Sequence, residues 1–239
     1  MRSYCTPIED QGSLGSCTAN AGVGLMEYYE NRAFHRHINA SRLFLYKATR
    51  NLLGWTGDTG AFLRTTMGAM RLFGVPPEKY WPYDITQYDV EPTAFLYSYA
   101  KEYQPIRYFR LDPPDTPKDR LLRLLKIVLN AQIPAMFGFT VYQSISRAAS
   151  SGKIPYPTLT ERVLGGHAVV AVGYDDEMKI TGIDGTQTTG ALIIRNSWGT
   201  SWGDQGYGYL PYKYVLTGLA IDWWSILKQE WIDTKIFGI

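Results

Sequence analysis

The sequence predicts an α+β fold in two parts, a helical lobe and then a mainly β lobe. Two features predict it. The first half carries apolar residues at helical spacing between caps and breakers. The second half carries short runs rich in β-branched and aromatic residues, bounded by Gly, Asp or Pro. A chain of 239 residues can form one large domain or two small lobes with a sizeable shared core. The expected arrangement is a single domain over 1–239, helical over about 7–110 and mainly β over 111–239, with the chain ends crossing over.

The first predicted helix is the stretch TANAGVGLMEYYENR after Cys17. Its Gly22 and Gly24 would each cost an exposed helix up to about 1 kcal/mol relative to Ala. A buried helix uses such residues for close backbone packing. SRLFLYKATRNL is a second helix, with Ser41 as N-cap. GAFLRTTMGAMRLFG is a third, with Phe62, Ala69, Met70 and Phe73 at helical spacing and Gly74 as its stop. Pro76, Pro77, Pro82, Pro92, Pro105, Pro113, Pro114 and Pro117 mark a connecting stretch over the surface. A fourth helix, PKDRLLRLLKIVLN, has Thr116 as candidate cap and Pro117 in its first turn.

Five later runs read as strands of a largely antiparallel sheet or barrel: IPAMFGFTVY, HAVVAVGY, ALIIRNSW, GYGYLPY and IDWWSIL. The segment DDEMKITGIDGTQTTG between the second and third reads as a loop. A groove between a helical and a β lobe is a common place for a binding site.

Composition narrows the function. Lys+Arg 24 against Asp+Glu 22 leaves a net charge of +2, so nucleic-acid binding has no electrostatic footprint. No apolar run is long enough to span a bilayer, and the first residues lack the apolar core of a secretory signal. Met1 reads either as the natural start or as the boundary of a processed piece. The two cysteines, Cys5 and Cys17, do not make a disulfide framework. A bond between them stays open as an alternative, although a reducing, intracellular setting fits the composition better. Cys5 reads as a structural or incidental thiol. His35 and His37 form an H-x-H pair without a Cys or carboxylate cluster, so they read as a solvated helix end or loop. No metal or cofactor is expected.

Three motifs carry candidate chemistry. In Gln11-Gly-Ser-Leu-Gly-Ser-Cys17-Thr-Ala-Asn20, a cysteine opens a helix. N–H groups and the positive end of the helix dipole favour a thiolate there. Gly12 and Gly15 permit a tight turn, and the Gln11 amide can donate to an oxyanion beside the Cys17 N–H. In Gly165-Gly-His167-Ala-Val-Val, a histidine starts an apolar strand, which suits a general base held on one side and open on the other. In Arg195-Asn196-Ser-Trp198-Gly, an asparagine at a strand end can fix the tautomer of that histidine, and Trp198 can shield the bond from water. Alone, each has a bland alternative: an inert cysteine in a Gly-rich turn, a satisfied core histidine, a packing turn rich in Gly and Trp.

Their joint order resembles the papain family, which includes the cathepsins. The family places His and Asn roughly 130–150 residues after the cysteine. Here His167 follows Cys17 by 150 residues and Asn196 by 179, the excess being assigned to the loop between the two strands. The resemblance runs from about Pro7 to about Ile226. It implies a papain-like two-lobe fold, with an N-terminal helical lobe, a C-terminal antiparallel β-barrel-like lobe and the active-site cleft between them.

The resemblance also implies a cysteine peptidase that cleaves peptide bonds through a Cys17 thioester. His167 would be general base and acid, Asn196 its partner and Gln11 the oxyanion donor. Thr59 and Gly60, in the strip from Asp58, would pair with an extended peptide or protein substrate. Phe62, Gly138, Gly166 and Ala168 would border the main specificity pocket, roomy enough for a bulky apolar side chain, and Trp198, counted with the substrate-binding residues, would cover the His167–Asn196 pair. Thr18 departs from the usual aromatic after the nucleophile. Leu14 stands where many members have a structural cysteine, in keeping with the missing disulfides, and the Gln-Gly-x-x-Gly-Ser-Cys-Thr-Ala-Asn form looks like the microbial branch. No inhibitory propeptide precedes Gln11, so restraint by a protein inhibitor or by a removed propeptide is left open. The same apparatus serves a thiol acyltransferase or peptide-maturation enzyme, and the fold also admits a non-catalytic binding module.

Overall fold

A computed structural model describes residues 1–104 and 107–227. Pro105, one of the prolines noted above, and everything after 227 lie outside the described residues. The chain divides into two compact units. Among the described residues, one holds Met1, 8–12 and 110–223; the other holds 2–7, 13–104, 107–109 and 224–227.

The second of these is the helical unit. Its helices are α1 (Cys17–Phe34), α2 (Arg42–Leu53), α3 (Leu63–Phe73) and α4 (Ala94–Ala100). Residues Thr18–Glu30 of α1 are all buried, which explains its tolerance of glycine. A Cβ on Gly22 would come within 3.0 Å of Met70 Sδ and 3.3 Å of Thr66 Cγ2, so the missing side chain lets α3 approach closely. His35 closes α1 in the left-handed conformation, its N–H donating to Asn31 O at 2.9 Å. Ser41 caps α2 by accepting from Phe44 N. The third helix begins only at Leu63: Phe62 is extended and 57% exposed, and the buried face is Leu63, Thr66, Met67, Ala69 and Met70. The proline-rich stretch contains a helix not read from the sequence, α4, capped by Thr93 and packed with Phe44 and Ala48 through Leu96 and Ala100.

The other unit is built on a sheet. After β1 (Arg107–Arg110) come α5 (Lys118–Asn130), β2 (Ala135–Tyr142), β3 (Val163–Thr181), β4 (Gln187–Arg195), β5 (Tyr207–Pro211), α6 (Tyr212–Leu216) and β6 (Ala220–Leu227). Within it the order is β6-β2-β3-β4-β5, β6 contributing its first half. Strands β2 to β5 pair antiparallel. The sheet is open and does not close into a barrel. Phe137 stacks on Trp223 at 3.8 Å in its core, beside Leu121, Leu125, Val169 and Leu192.

Two local expectations change. The cap position of α5 is Pro117, and the Thr116 hydroxyl instead donates to Pro113 O at 2.6 Å. Most of the expected loop DDEMKITGIDGTQTTG is strand: β3 and β4 run on as a ribbon, with Lys179 opposite Thr189, Ile180 opposite Thr188 and only a short turn after Thr181. The ribbon is largely exposed, so its residues stay polar while its backbone pairs. His167 is accordingly the fifth residue of β3, not its first.

Candidate active site

The β unit assembles one half of the candidate set. His167 is 6% exposed, and its Nε2 lies 2.7 Å from Asn196 Oδ1. The same oxygen accepts the Ser197 N–H at 2.8 Å. Since Oδ1 only accepts, Nε2 carries the hydrogen and Nδ1 is left as the ring's acceptor. Trp198 stacks on the imidazole at 4.5 Å, and Phe139 meets it edge-on at 5.8 Å. Burial pushes His167 down to about 4, the Asn196 bond opposing the shift. At neutral pH this environment by itself keeps the ring uncharged.

Gln11 belongs to the same cluster. Its N–H donates to Ser197 O at 2.9 Å, and its Oε1 accepts from Ser197 Oγ at 2.6 Å. With Oε1 accepting from Ser197, Nε2 is the amide's donor end. Ser197 was not singled out from the sequence. Its place between Asn196 and Trp198 was the available signal, but its partner lies 186 residues away.

Gly138, Gly166 and Ala168 come together on the sheet. Gly138 pairs opposite Ala168, Phe139 opposite His167, and Thr140 opposite Gly166. Alternation along β3 puts Gly166 and Ala168 on one face and His167 on the other. A Cβ on Gly166 would meet nothing within 4 Å.

The helical unit holds the other half. Cys17 is the first residue of α1, and Ser16 makes no side-chain cap to the first turn. The N-terminal N–H groups and the helix dipole are therefore directed at the cysteine end of the helix. Neither Cys17 nor Cys5 is in a disulfide, which removes the alternative of a bond between them. Thr18 is 3% exposed, and among the described residues its hydroxyl has no hydrogen-bond partner.

Thr59 is exposed, and its Oγ1 donates to Gly60 O at 3.2 Å. Gly60, at φ +70°, donates its N–H to Tyr46 Oη at 3.1 Å and so has already spent that group. The next residue, Ala61, makes no backbone hydrogen bond among the described residues. The exposed Phe62 ring lies 5.2 Å from Trp55. Among the described residues, no three His, Cys, Asp or Glu side chains gather as a metal site, and no helix is long and apolar enough to cross a membrane.

Comparison with known proteins gives a consistent result. The sequence model of the papain family cysteine proteases matches residues 1–220. A peptidase C1-like protein of Acanthamoeba polyphaga mimivirus is 36% identical over 233 residues, 95% of this chain and 71% of that protein. Cathepsin K of Gallus gallus is 29% identical over 92% of this chain, which spans 59% of that protein's length. Among solved structures, xylellain, a cysteine protease from Xylella fastidiosa, superposes with a TM-score of 0.79 at 33% identity, over 93% of this chain and 83% of that one. A Carica candamarcensis cysteine protease, solved in complex with E-64, shares the fold at a TM-score of 0.68 and 19% identity, over 95% of each chain.

Proposed function

The chain belongs to the papain family of cysteine proteases, and from that premise we propose that it hydrolyses peptide bonds with Cys17 as nucleophile, His167 as base and acid, Asn196 as the residue orienting His167, and Gln11 as oxyanion donor. The observation that carries this reading is the 2.7 Å bond between Asn196 Oδ1 and His167 Nε2 under the Trp198 ring. It leaves Nδ1 as a buried, neutral acceptor, which is what a thiol needs as a base.

In the proposed reaction His167 Nδ1 takes the Cys17 proton, giving an imidazolium and a thiolate. The thiolate adds to the peptide carbonyl carbon. The Gln11 Nε2 and the Cys17 N–H donate to the resulting oxyanion. The imidazolium then protonates the leaving amine as the C–N bond breaks, and a thioester remains. Water, giving a proton to His167, attacks that thioester. The acid product leaves as the thiol is reformed. Placement at the α1 N-terminus favours the thiolate, which offsets the burial cost of charging His167.

The substrate would lie extended along Thr59–Ala61. Its side chain second upstream of the cut would meet the small face of Gly138, Gly166 and Ala168 and the exposed Phe62 ring. A bulky apolar residue is expected there. The test is Cys17→Ala assayed on fluorogenic peptides. Loss of turnover is expected, and turnover retained by the variant would refute the assignment.

A further inference from the structure

We propose that Asp58 is a positioning residue, a carboxylate clamp that holds the turn before Cys17 against the Asp58–Ala61 strip and so sets the nucleophile and the substrate-pairing backbone together. The inference rests on the roles given above to Cys17 and to the strip.

Gly15, two residues before Cys17, donates its N–H to Asp58 at 3.0 Å from Oδ1 and 3.2 Å from Oδ2. The approach is close enough to need glycine: a Cβ at residue 15 would lie 2.9 Å from Asp58 Oδ1 and 3.4 Å from Gly60 N. Asp58 Oδ1 also accepts from the Tyr46 hydroxyl at 2.5 Å, and that hydroxyl accepts the Gly60 N–H at 3.1 Å. One carboxylate and one phenol thus join three segments, the turn at Gly15, helix α2 through Tyr46, and the strip at Gly60. Tyr46 is fully buried, and burial, with the Asp58 bond adding to it, raises its hydroxyl above the ordinary tyrosine value, so it stays a donor to the carboxylate.

The clamp is anchored behind and beside. The fully buried Arg50 binds the carbonyls of Gly57 and Tyr88 and reaches Asp89 Oδ1 at 2.9 Å, while Gly57 N donates to Asp89 Oδ2 at 3.0 Å. The residue before Asp58 is therefore fixed. On the turn itself, Ser16 Oγ lies 2.5 Å from Tyr83 Oη. Asp58 is exposed, so water competes for its bonds and the effect on reactivity is modest, although charge-assisted bonds are stronger than neutral ones.

Asparagine at 58 keeps the Oδ1 acceptor that serves both Gly15 and Tyr46, while alanine removes it. The experiment measures the alkylation rate of Cys17 by iodoacetamide, read at the Cys17 peptide, and kcat and KM on a peptide substrate. Alkylation reports the turn and KM reports the strip. Asp58→Ala is expected to slow alkylation about tenfold and raise KM about tenfold. Asp58→Asn is expected to stay within about threefold on both. Tyr46→Phe, which keeps the ring in the core, is expected to raise KM several-fold and supplies the test should Asp58→Ala not fold. Wild-type alkylation with wild-type KM in Asp58→Ala, an unchanged KM in Tyr46→Phe, or equal impairment in the Ala and Asn variants would overturn the clamp. A change in melting temperature alone would overturn it too. Turnover surviving Cys17→Ala is a separate failure, that of the nucleophile assignment.

Discussion

Asn196 Oδ1 accepts from both His167 Nε2 and the Ser197 N–H, at 2.7 and 2.8 Å, so the asparagine is pinned to its own backbone while it orients the imidazole. Removing the amide should free the ring and admit the wrong tautomer. Asn196→Ala is expected to lower kcat by about 10²-fold with little change in KM, since proton transfer depends on a positioned base. Steady-state kinetics on a fluorogenic peptide checks the split.

The titration of His167 gives a second prediction. Its folded value, about 4, lies below the ordinary 6.5 because burial opposes the charge. In that case the unfolded chain binds the proton first as pH falls, so the contribution to stability is full above about 6.5 and is lost toward about 4. Cys17→Ala removes the thiolate that would draw the charge back onto the ring. Histidine NMR of Cys17→Ala should find one imidazole titrating near 4, with denaturation midpoints falling over the same window. A third measurement, the same titration in the unmodified protein, should give a higher value for that ring.

Gln11 should matter through its amide nitrogen. Loss of one oxyanion donor costs about 10²–10³ in kcat. Gln11→Ala is expected in that range, whereas Ser197→Ala, which only releases the bond to Oε1, should cost less. Kinetics of the two variants side by side tests the order.

Gly74 tests the fold apart from the chemistry. It ends α3 at φ +76°, where a Cβ would lie 1.8 Å from Ala100 O. Gly74→Ala combines an unfavourable backbone with a clash against carbonyl oxygen, and about 3 kcal/mol or more of destabilisation is expected in urea melts. The folded fraction should keep its specific activity.

The sequence carried the candidate residues because each sits in a short motif whose local chemistry is visible in one line: a cysteine opening a helix, a histidine among strand apolars, an asparagine beside tryptophan. The helices α1, α2 and α5 and the strands β2 and β4 to β6 were legible for the same reason, their periodicity being local. The β3–β4 ribbon was not, because an exposed ribbon keeps polar side chains and its signal is the register of Lys179 with Thr189. The α5 cap was misread because the Thr116 hydroxyl folds back on Pro113. The Asp58–Gly15 and Ser197–Gln11 bonds were not legible either, since they join residues 43 and 186 positions apart. Gly15 hinted at a close approach without naming what approaches.

The central claim, that Cys17 is the nucleophile of a peptidase, is tested most directly by titrating the protein with E-64 and following turnover and adduct together. One adduct per chain is predicted, mapped to Cys17, with peptide hydrolysis falling in proportion to its formation and Cys5 unmodified. Full hydrolysis by a protein modified at Cys17, or inactivation that tracks an adduct on Cys5, would contradict the account.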